Sequence, residues 1–167
     1  MNRPLIDRRF RPNLAKYVFQ CLLATGVILF ALIAFDILKT TAIIATVGSS
    51  AFIVFTMPSA KTARTRNILG GYAVGMGTGI SLDLLARYLI AYGWDLRPTE
   101  IVFASVAVGL AIFLMVVFDV EHPPSAGAAM GFVINEWDAR TVIFILLTLL
   151  IFVLTKRFLR NYLIDLR

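Results

Sequence analysis

The residues best suited to chemistry in this 167-residue chain lie in one short stretch, Asp119-Val120-Glu121-His122-Pro123-Pro124-Ser125. His122 is the only histidine, and an imidazole with an unperturbed pKa near 6.5 can bind an anion or carry a proton at physiological pH. Asp119, Glu121 and His122 could instead hold a metal, but a structural zinc site normally draws four ligands from two places in the chain. We therefore expect neither a metal nor a cofactor here.

Two consecutive prolines determine how the chain continues. Pro123 and Pro124 lack the backbone N–H and exclude a regular helix through them, so a helix restarts just after, with Pro124 in its first turn. The N–H groups of Ser125, Ala126 and Gly127 are then expected to be unbonded and to point back along the helix axis, which favours an anion. A proline-terminated turn between two helices explains the same residues without any ligand.

The composition is that of a membrane protein. Hydrophobic residues make up 59% of the chain and charged residues 16%, and the mean hydropathy is +0.84, whereas soluble proteins have about 45–50% apolar residues. Residues 1–167 are expected to form a single membrane domain with the lipid bilayer as partner. The net charge is +6, but the Lys and Arg residues do not form a basic run interleaved with aromatic residues. We therefore expect no nucleic acid partner.

Hydropathy divides the chain into six apolar segments, four long and two short or broken, and so predicts an all-α membrane protein. The expected bounds are 17–35, 42–57, 68–92, 99–118, 124–134 and 141 to about 160. The second segment has only 16 residues, and Gly48-Ser49-Ser50 predicts a break there with a new helix start near Gly48. Residues 1–16 form a basic tail, whose cations favour the cytoplasmic side.

Two blocks of the sequence resemble the HPP family of integral membrane proteins, named for its His-Pro-Pro motif. They are Glu121 to Ala128 with the preceding residues 107–115, and Gly48 to Ala51 with Met57-Pro58 and Arg66-Asn67-Ile68-Leu69-Gly70-Gly71-Tyr72. Tyr72 stands where that family usually has a second histidine. The resemblance implies a small protein with several membrane spans, and chloroplast members of the family in plants are described as nitrite transporters.

The sequence also repeats internally. Residues 24–36 align without gaps to 107–119, and in each half a short small-residue helix and then a long helix follow. We therefore predict two three-helix repeats, 17–92 and 99–164, in a 3+3 inverted arrangement, in which transporters place their substrate sites between broken helices near the membrane midplane. The helix N-termini near Gly48 and Ser125 are expected to converge there.

The distribution of cations favours six crossings. Six crossings place twelve Lys and Arg residues on one side and three on the other, whereas four crossings with two re-entrant helices give ten and five. Because cations collect in cytoplasmic loops, we expect six spans with both termini cytoplasmic, in the plasma (inner) membrane of a prokaryote.

The predicted function is a transporter or channel, and not an enzyme, for a small inorganic anion, nitrite-like by the family resemblance. The alternatives are a membrane assembly subunit without transport and, less favoured, an intramembrane metal enzyme. The predicted substrate-binding residues are Gly48, Ser49, Ser50, Arg66, Asn67, His122, Pro123, Pro124, Ser125, Ala126 and Gly127.

Two further patterns carry structural predictions. Gly71, Gly75 and Gly79 lie on one helix face, which predicts close helix contact in a homo-oligomer or, alternatively, within the chain. Asp83 and Arg87 are four residues apart on one helix and are expected to form an intramembrane ion pair.

Overall fold

The computed structural model describes residues 11–35 and 41–166, and within these ranges the chain is helical without any strand. The α-helices are α1 (Leu14–Phe35), α2 (Thr41–Thr56), α3 (Thr65–Ala91), α4 (Leu96–Val117), α5 (Pro124–Ile134) and α6 (Ala139–Phe158), with 3-10 turns at Arg11–Asn13 and Lys61–Ala63. These bounds lie within three residues of the predicted ones. The prediction of an all-α chain is confirmed.

Three of the helices, α3, α4 and α6, are long and apolar enough to cross a membrane. The other apolar helical stretches are shorter: Leu14–Phe30, Ala42–Thr56 and Pro124–Ile134. With 11 residues and a rise of 1.5 Å per residue, α5 extends only about 17 Å, roughly half the hydrocarbon thickness of about 30 Å. Helix α5 therefore depends on its neighbours to hold it within the bundle.

Several helix ends and connections gather at one end of the bundle, which we call the basic end. It comprises residues 57–64, 118–123 and 159–166. The end of α6 lies at the basic end, where the Lys156 ammonium donates to the carbonyl of Ala63. The end of α4 also lies at the basic end, where Lys61 Nζ is 2.6 Å from Asp119 Oδ1. Successive helices consequently run in opposite directions.

The start of α1 is fixed at the basic end by a buried amide. The Gln20 side chain is inaccessible to solvent, and its Nε2 donates to the carbonyls of Phe55 and Ile164. In return, Gln20 Oε1 accepts the N–H of Ile164 at 3.2 Å. Because the N–H of Leu166 also donates to the carbonyl of Thr56 at 2.9 Å, the last described residues tie α1 to the end of α2.

The tightest packing in the bundle joins α3 to α5. A Cβ atom added at Gly75 would lie 2.2 Å from the carbonyl oxygen of Ser125, and one added at Gly79 would lie 2.5 Å from that of Ala129. Gly71 belongs to the same face. The prediction that this glycine face joins subunits is therefore wrong, because the face is covered within the chain; a homo-oligomer stays a prediction and requires another surface.

Helix α2 is continuous, contrary to the predicted break at Gly48-Ser49-Ser50. Its polar residues are accommodated inside a regular helix because Ser49 Oγ donates to the carbonyl of Ala45 at 2.9 Å and Ser50 Oγ contacts that of Thr46 at 3.0 Å. The helix begins at Thr41. No helix N-terminus therefore exists near Gly48.

Helices α2 and α5 are antiparallel neighbours. A Cβ at Gly127 would touch the side chain of Thr46, and one at Gly131 would touch Ile43 near the start of α2. The start of α2 thus lies beside the end of α5. The predicted convergence of two helix N-termini is not what the structure has, since the two N-termini lie at opposite ends of this helix pair.

The glycine contact predicts different effects at two neighbouring positions. Gly75→Ala should cost about 1–3 kcal/mol because backbone atoms of α5 must move. In Gly77→Ala the added Cβ meets no atom within 4 Å, so this control should not be destabilised and should gain up to about 1 kcal/mol from the higher helix preference of Ala. Thermal unfolding of the purified variants in detergent measures both, and equal midpoints for the two variants would contradict the close packing.

Candidate functional site

The chain turns sharply after α4, and this turn places His122 in the interior of the bundle. Asp119 has a positive φ of 55°, a left-handed conformation that Asp tolerates better than most residues. The N–H of Val120 reaches back to the carbonyl of Met115 at 2.9 Å, as in a helix end closed by a left-handed residue. Three residues after Asp119, the His122 side chain is inaccessible to solvent.

Both ring nitrogens of His122 are engaged. Nδ1 lies 2.8 Å from the carbonyl oxygen of Thr62, and because a carbonyl only accepts, Nδ1 carries the hydrogen. In the neutral ring Nε2 is then an acceptor, and the hydroxyl of Ser50 lies 2.9 Å from it. The Tyr72 hydroxyl is 2.9 Å from the same Ser50 oxygen.

The hydroxyl groups continue from Tyr72 to the surface of α2. Tyr72 OH donates to Thr46 Oγ1 at 3.5 Å, and Thr46 borders a groove between α2 and α5. Ser50 has a choice of acceptors, because its Oγ lies within hydrogen-bonding distance of both His122 Nε2 and the carbonyl of Thr46. A continuous series of side chains thus joins the groove to the buried imidazole.

Burial sets the protonation state of His122, which lies in the connection between α4 and α5 rather than in a helix. Removal from water lowers the pKa of the imidazole, and the hydrogen bond to the carbonyl of Thr62 opposes this effect only in part. Burial disfavours the charged form of a histidine. The ring is therefore neutral at neutral pH.

Ser125 lies in the first turn of α5 and is fully buried. Its hydroxyl has no hydrogen-bond partner among the described residues. A Cβ added at Gly71 would lie 3.0 Å from Ser125 Oγ and 2.7 Å from His122 Cβ, so the hydroxyl and the histidine border the same glycine. Because a buried unpaired hydroxyl is costly, Ser125 is the cluster residue with unused hydrogen-bonding capacity, although the packing around it is too tight for even a methyl group on Gly71.

The backbone at the start of α5 does not form the predicted anion cradle. The N–H of Ser125 donates to the carbonyl of His122 at 2.9 Å, and the N–H of Ala126 donates to that of Pro123 at 3.1 Å. These bonds close the first turn on itself. The prediction of unbonded N–H groups is therefore wrong for Ser125 and Ala126, and the polar groups available here are side chains.

The acidic residues beside the histidine are neutralised outside the buried cluster. Lys61 Nζ lies 2.6 Å from Asp119 Oδ1 and 3.0 Å from Glu121 Oε2, and Arg66 Nη1 lies 3.4 Å from Asp119 Oδ2. The hydrogen bond from Lys61 lowers the pKa of both carboxyl groups. Of the predicted site residues, Arg66 thus binds an acid at the surface. Asn67 is buried and donates to the carbonyl of Glu121 at 3.2 Å, which fixes the connection between α4 and α5.

The remaining predicted site residues separate into two groups. Ser50, His122 and Ser125 are buried together. The residues that border the groove of about 670 Å³ between α2 and α5 include Thr46, Ser49, Pro123, Pro124 and Gly127. Gly48 is exposed and a Cβ there would meet nothing, and Ala126 packs in an apolar cluster with residues of α4, so neither reaches the polar cluster.

At the opposite end of the bundle, Asp83 and Arg87 meet as their spacing predicts. Arg87 Nε donates to Asp83 Oδ2 at 2.7 Å, and Trp137 Nε1, just before α6, donates to the same oxygen at 2.8 Å. Asp83 is 3% exposed. This carboxylate therefore fastens the start of α6 to α3 and is separate from the histidine cluster.

The sequence model of the family described as HPP, transmembrane region, matches residues 9–164. The chain belongs to the HPP family. It is an integral membrane protein, and its histidine cluster lies inside the matched region. No curated protein and no solved structure matches this HPP protein.

Sequence reasoning missed several members of the cluster in this HPP protein. Tyr72, noted only as a departure from the family pattern, has its ring centroid 5.7 Å from that of His122. Thr46, also missed, lies four residues before the predicted Ser50 on α2, a spacing that could have indicated a shared polar face. The Thr62 carbonyl carries no sequence signal because every residue type has one.

The lowered pKa of His122 predicts a loss of stability in mild acid. Above about pH 6.5, the pKa of an unfolded histidine, the residue is neutral in both states and its contribution is complete. As the pH falls further, the unfolded chain binds the proton first, so the free energy of unfolding should decrease. Thermal midpoints between pH 8 and 5 measure this, and His122→Gln should flatten the profile.

The carboxyl groups of Asp119 and Glu121 do not confound this experiment. Their pKa values are lowered from ordinary values near 4, so they stay ionised over the same range. An unchanged pH profile in folded His122→Gln protein would refute the assignment of the acid sensitivity to His122.

Proposed function

We propose that this HPP protein carries a small inorganic anion, nitrite-like in size and charge, across the membrane. The observation that supports this most directly is the cluster of Ser50, His122 and Ser125 buried inside a largely apolar bundle. Polar groups inside membrane proteins are costly and are concentrated on substrate and ion pathways. The hydroxyl of Ser125 has no partner among the described residues, so it is able to donate to an anion when the tight contact with Gly71 opens.

The chemistry of the cluster favours an anion over a cation. Its side chains are hydroxyls and a neutral imidazole, none of which carries negative charge, and the unpaired Ser125 hydroxyl has a proton to donate. The two nearest acids, Asp119 and Glu121, are bound by Lys61 at the basic end. An approaching anion therefore meets cations at the surface and hydroxyl donors below them.

The proposed arrangement has six crossings and a 3+3 inverted repeat. One support is that successive helices alternate in direction. Another is that the two halves have matching contacts: α1 contacts α2 in the first half, and α4 contacts α5 in the second. Likewise, α3 contacts α4 and α5, and α6 contacts α1 and α2. Equivalent helices in the two halves run in opposite directions. The short helices α2 and α5, which contact each other, would then lie on the repeat axis.

The proposed orientation places the basic end in the cytoplasm, in the plasma membrane of a prokaryote. The basic end carries Lys61 and Arg64, and beside it Arg66 lies in the first turn of α3 and Lys156 and Arg157 lie in the last turn of α6. Cations near membrane segments are retained on the cytoplasmic side. Both chain termini would lie on that side.

The alternatives have weaker support. A metal site of Asp119, Glu121 and His122 would require these side chains to converge, whereas the two acids contact Lys61 and the histidine contacts Ser50 and Thr62. A membrane assembly subunit without transport would need no unpaired polar group in its interior. We therefore propose a transporter that is not an enzyme, and the flux experiment below separates it from an assembly subunit.

Cysteine labelling tests the orientation. In a Cys21→Ala background, Ser59→Cys at the basic end should react with an impermeant maleimide only from the cytoplasmic side. Asp95→Cys, at the start of α4, should react only from the outside. Labelling of both positions from the same side would refute the alternation of the membrane spans.

Anion flux into proteoliposomes tests the transport proposal. Nitrite, nitrate, formate and chloride should be compared, with nitrite expected to enter faster than in protein-free liposomes. Ser125→Ala should weaken apparent affinity about two- to tenfold, since a neutral hydrogen bond contributes about 0.5–1.5 kcal/mol. Ser50→Val should abolish uptake by filling the cluster.

The matched control is Ser81→Val. Ser81 is an exposed helical serine whose hydroxyl donates to the carbonyl four residues earlier, as in Ser50, but on the outer surface of α3. Its substitution should leave uptake unchanged. Full nitrite uptake by folded Ser50→Val protein would favour a packing role for the cluster, and absence of uptake of all four anions by the wild type would favour an assembly subunit.

A further inference from the structure

We propose that Thr46, Tyr72 and Ser50 form a proton path between the groove and His122, and that this path couples proton movement to anion transport. The inference rests on the proposed function and adds the coupled ion and the residues that carry it. It depends on the connected geometry of four side chains rather than on the histidine alone.

The path is continuous and internal. From the groove the steps are Thr46 Oγ1 to Tyr72 OH at 3.5 Å, Tyr72 OH to Ser50 Oγ at 2.9 Å and Ser50 Oγ to His122 Nε2 at 2.9 Å. Tyr72 is 1% exposed, whereas Ser50 and His122 are inaccessible. Thr46 is 7% exposed and borders the groove, so it is the member that meets an incoming proton.

Each transfer conserves protons. Before transfer, the Thr46 hydroxyl turns from the carbonyl of Ile43, to which it donates at 2.7 Å, towards Tyr72, and the Tyr72 hydroxyl turns from Thr46 towards Ser50. The hydroxyl proton of Ser50 then moves to His122 Nε2, the phenolic proton of Tyr72 replaces it, and the hydroxyl proton of Thr46 moves to Tyr72. A hydronium ion in the groove then gives one proton to Thr46 and leaves as water. Every hydroxyl ends neutral, one proton has entered, and His122 has become an imidazolium with hydrogens on both nitrogens.

The cluster satisfies its hydrogen bonds in both charge states of the ring. When His122 is neutral, Ser50 donates to Nε2. When His122 is charged, Nε2–H donates to Ser50 Oγ, and the serine hydroxyl turns to the carbonyl of Thr46 at 3.0 Å. The Nδ1–H bond to the carbonyl of Thr62 at 2.8 Å is kept in both states, so loading the proton requires only rotations of the Thr46, Tyr72 and Ser50 hydroxyls.

The surroundings of the ring explain why proton and anion would travel together. Its neighbours are the hydroxyl of Ser50 on α2, the phenol of Tyr72 on α3 and the Thr62 carbonyl of the 57–64 connection. On its own connection, Glu121 is paired with Lys61. The imidazolium therefore has no carboxylate partner among the described residues.

An anion bound at Ser125 would supply the missing counter-charge. Ser125 and His122 both pack tightly against Gly71, so this contact must open to admit an anion, and an anion bound there would favour the charged ring. By reciprocity, a proton on His122 would favour the anion to the same extent. The geometry therefore favours symport of a proton with the anion.

The test compares proton and nitrite movement in the same proteoliposomes. An imposed nitrite gradient drives uptake, a trapped pH dye reports protons, a colorimetric assay reports nitrite, and protein-free liposomes give the leak of nitrous acid to be subtracted. The wild type should show a fixed ratio of protons to nitrite. Tyr72→Phe and His122→Gln should lower this ratio at least about tenfold, because each removes a proton-transfer group.

Tyr88→Phe is the matched control, since Tyr88 is an exposed tyrosine on the same helix. It should keep the wild-type ratio. Nitrite uptake with an unchanged ratio in folded Tyr72→Phe protein, or wild-type uptake with no proton movement, would overturn the proton path while leaving anion transport standing. Absence of anion uptake by the wild type would overturn both proposals.

Discussion

The close approach of α3 and α5 is the contact on which the rest of the molecule depends. At Gly75 the backbone of α5 passes so near that any Cβ would collide with the carbonyl oxygen of Ser125. Helix α5 is too short to cross a bilayer unaided, and this main-chain contact holds it in the bundle. Because Ser125 and His122 belong to the same tight turn, fixing α5 against α3 also fixes the polar cluster.

A second constraint is that charged groups and neutral polar groups occupy different regions of the protein. Full charges gather at the basic end, where Lys61 joins Asp119 and Glu121, while the interior near it contains neutral groups. An unpaired charge in that interior would be strongly disfavoured, whereas linked hydroxyls satisfy one another. His122 is the residue between these two regions, with its backbone next to the acids and its ring among the hydroxyls.

Local signals in the sequence predict much of this structure. The start of α5 at Pro124 follows from proline chemistry, and the contact between Asp83 and Arg87 follows from helical spacing. Both depend on neighbours along one helix. The His-Pro-Pro context likewise identifies the family without any three-dimensional information.

One error is local, and the others arise where distant segments decide the outcome. Small and polar residues around Gly48 predict a break in α2, but the serine hydroxyls bond to their own helix and the segment stays regular. The expected meeting of N-termini fails because α2 and α5 pack antiparallel. Tyr72 and Thr46 join His122 only through the packing of α2, α3 and α5, and no spacing within a single helix contains that information.

The buried amide of Gln20 has a consequence for biogenesis. Its partner Ile164 is synthesised 144 residues later, so Gln20 enters the membrane in the first helix with part of its hydrogen-bonding capacity unmet. Because Gln20 lies at the basic end, its amide can bond to water or lipid headgroups until this partner is made. Burial of the amide therefore has to follow the synthesis of α6, which makes closure of this end of the bundle a late event.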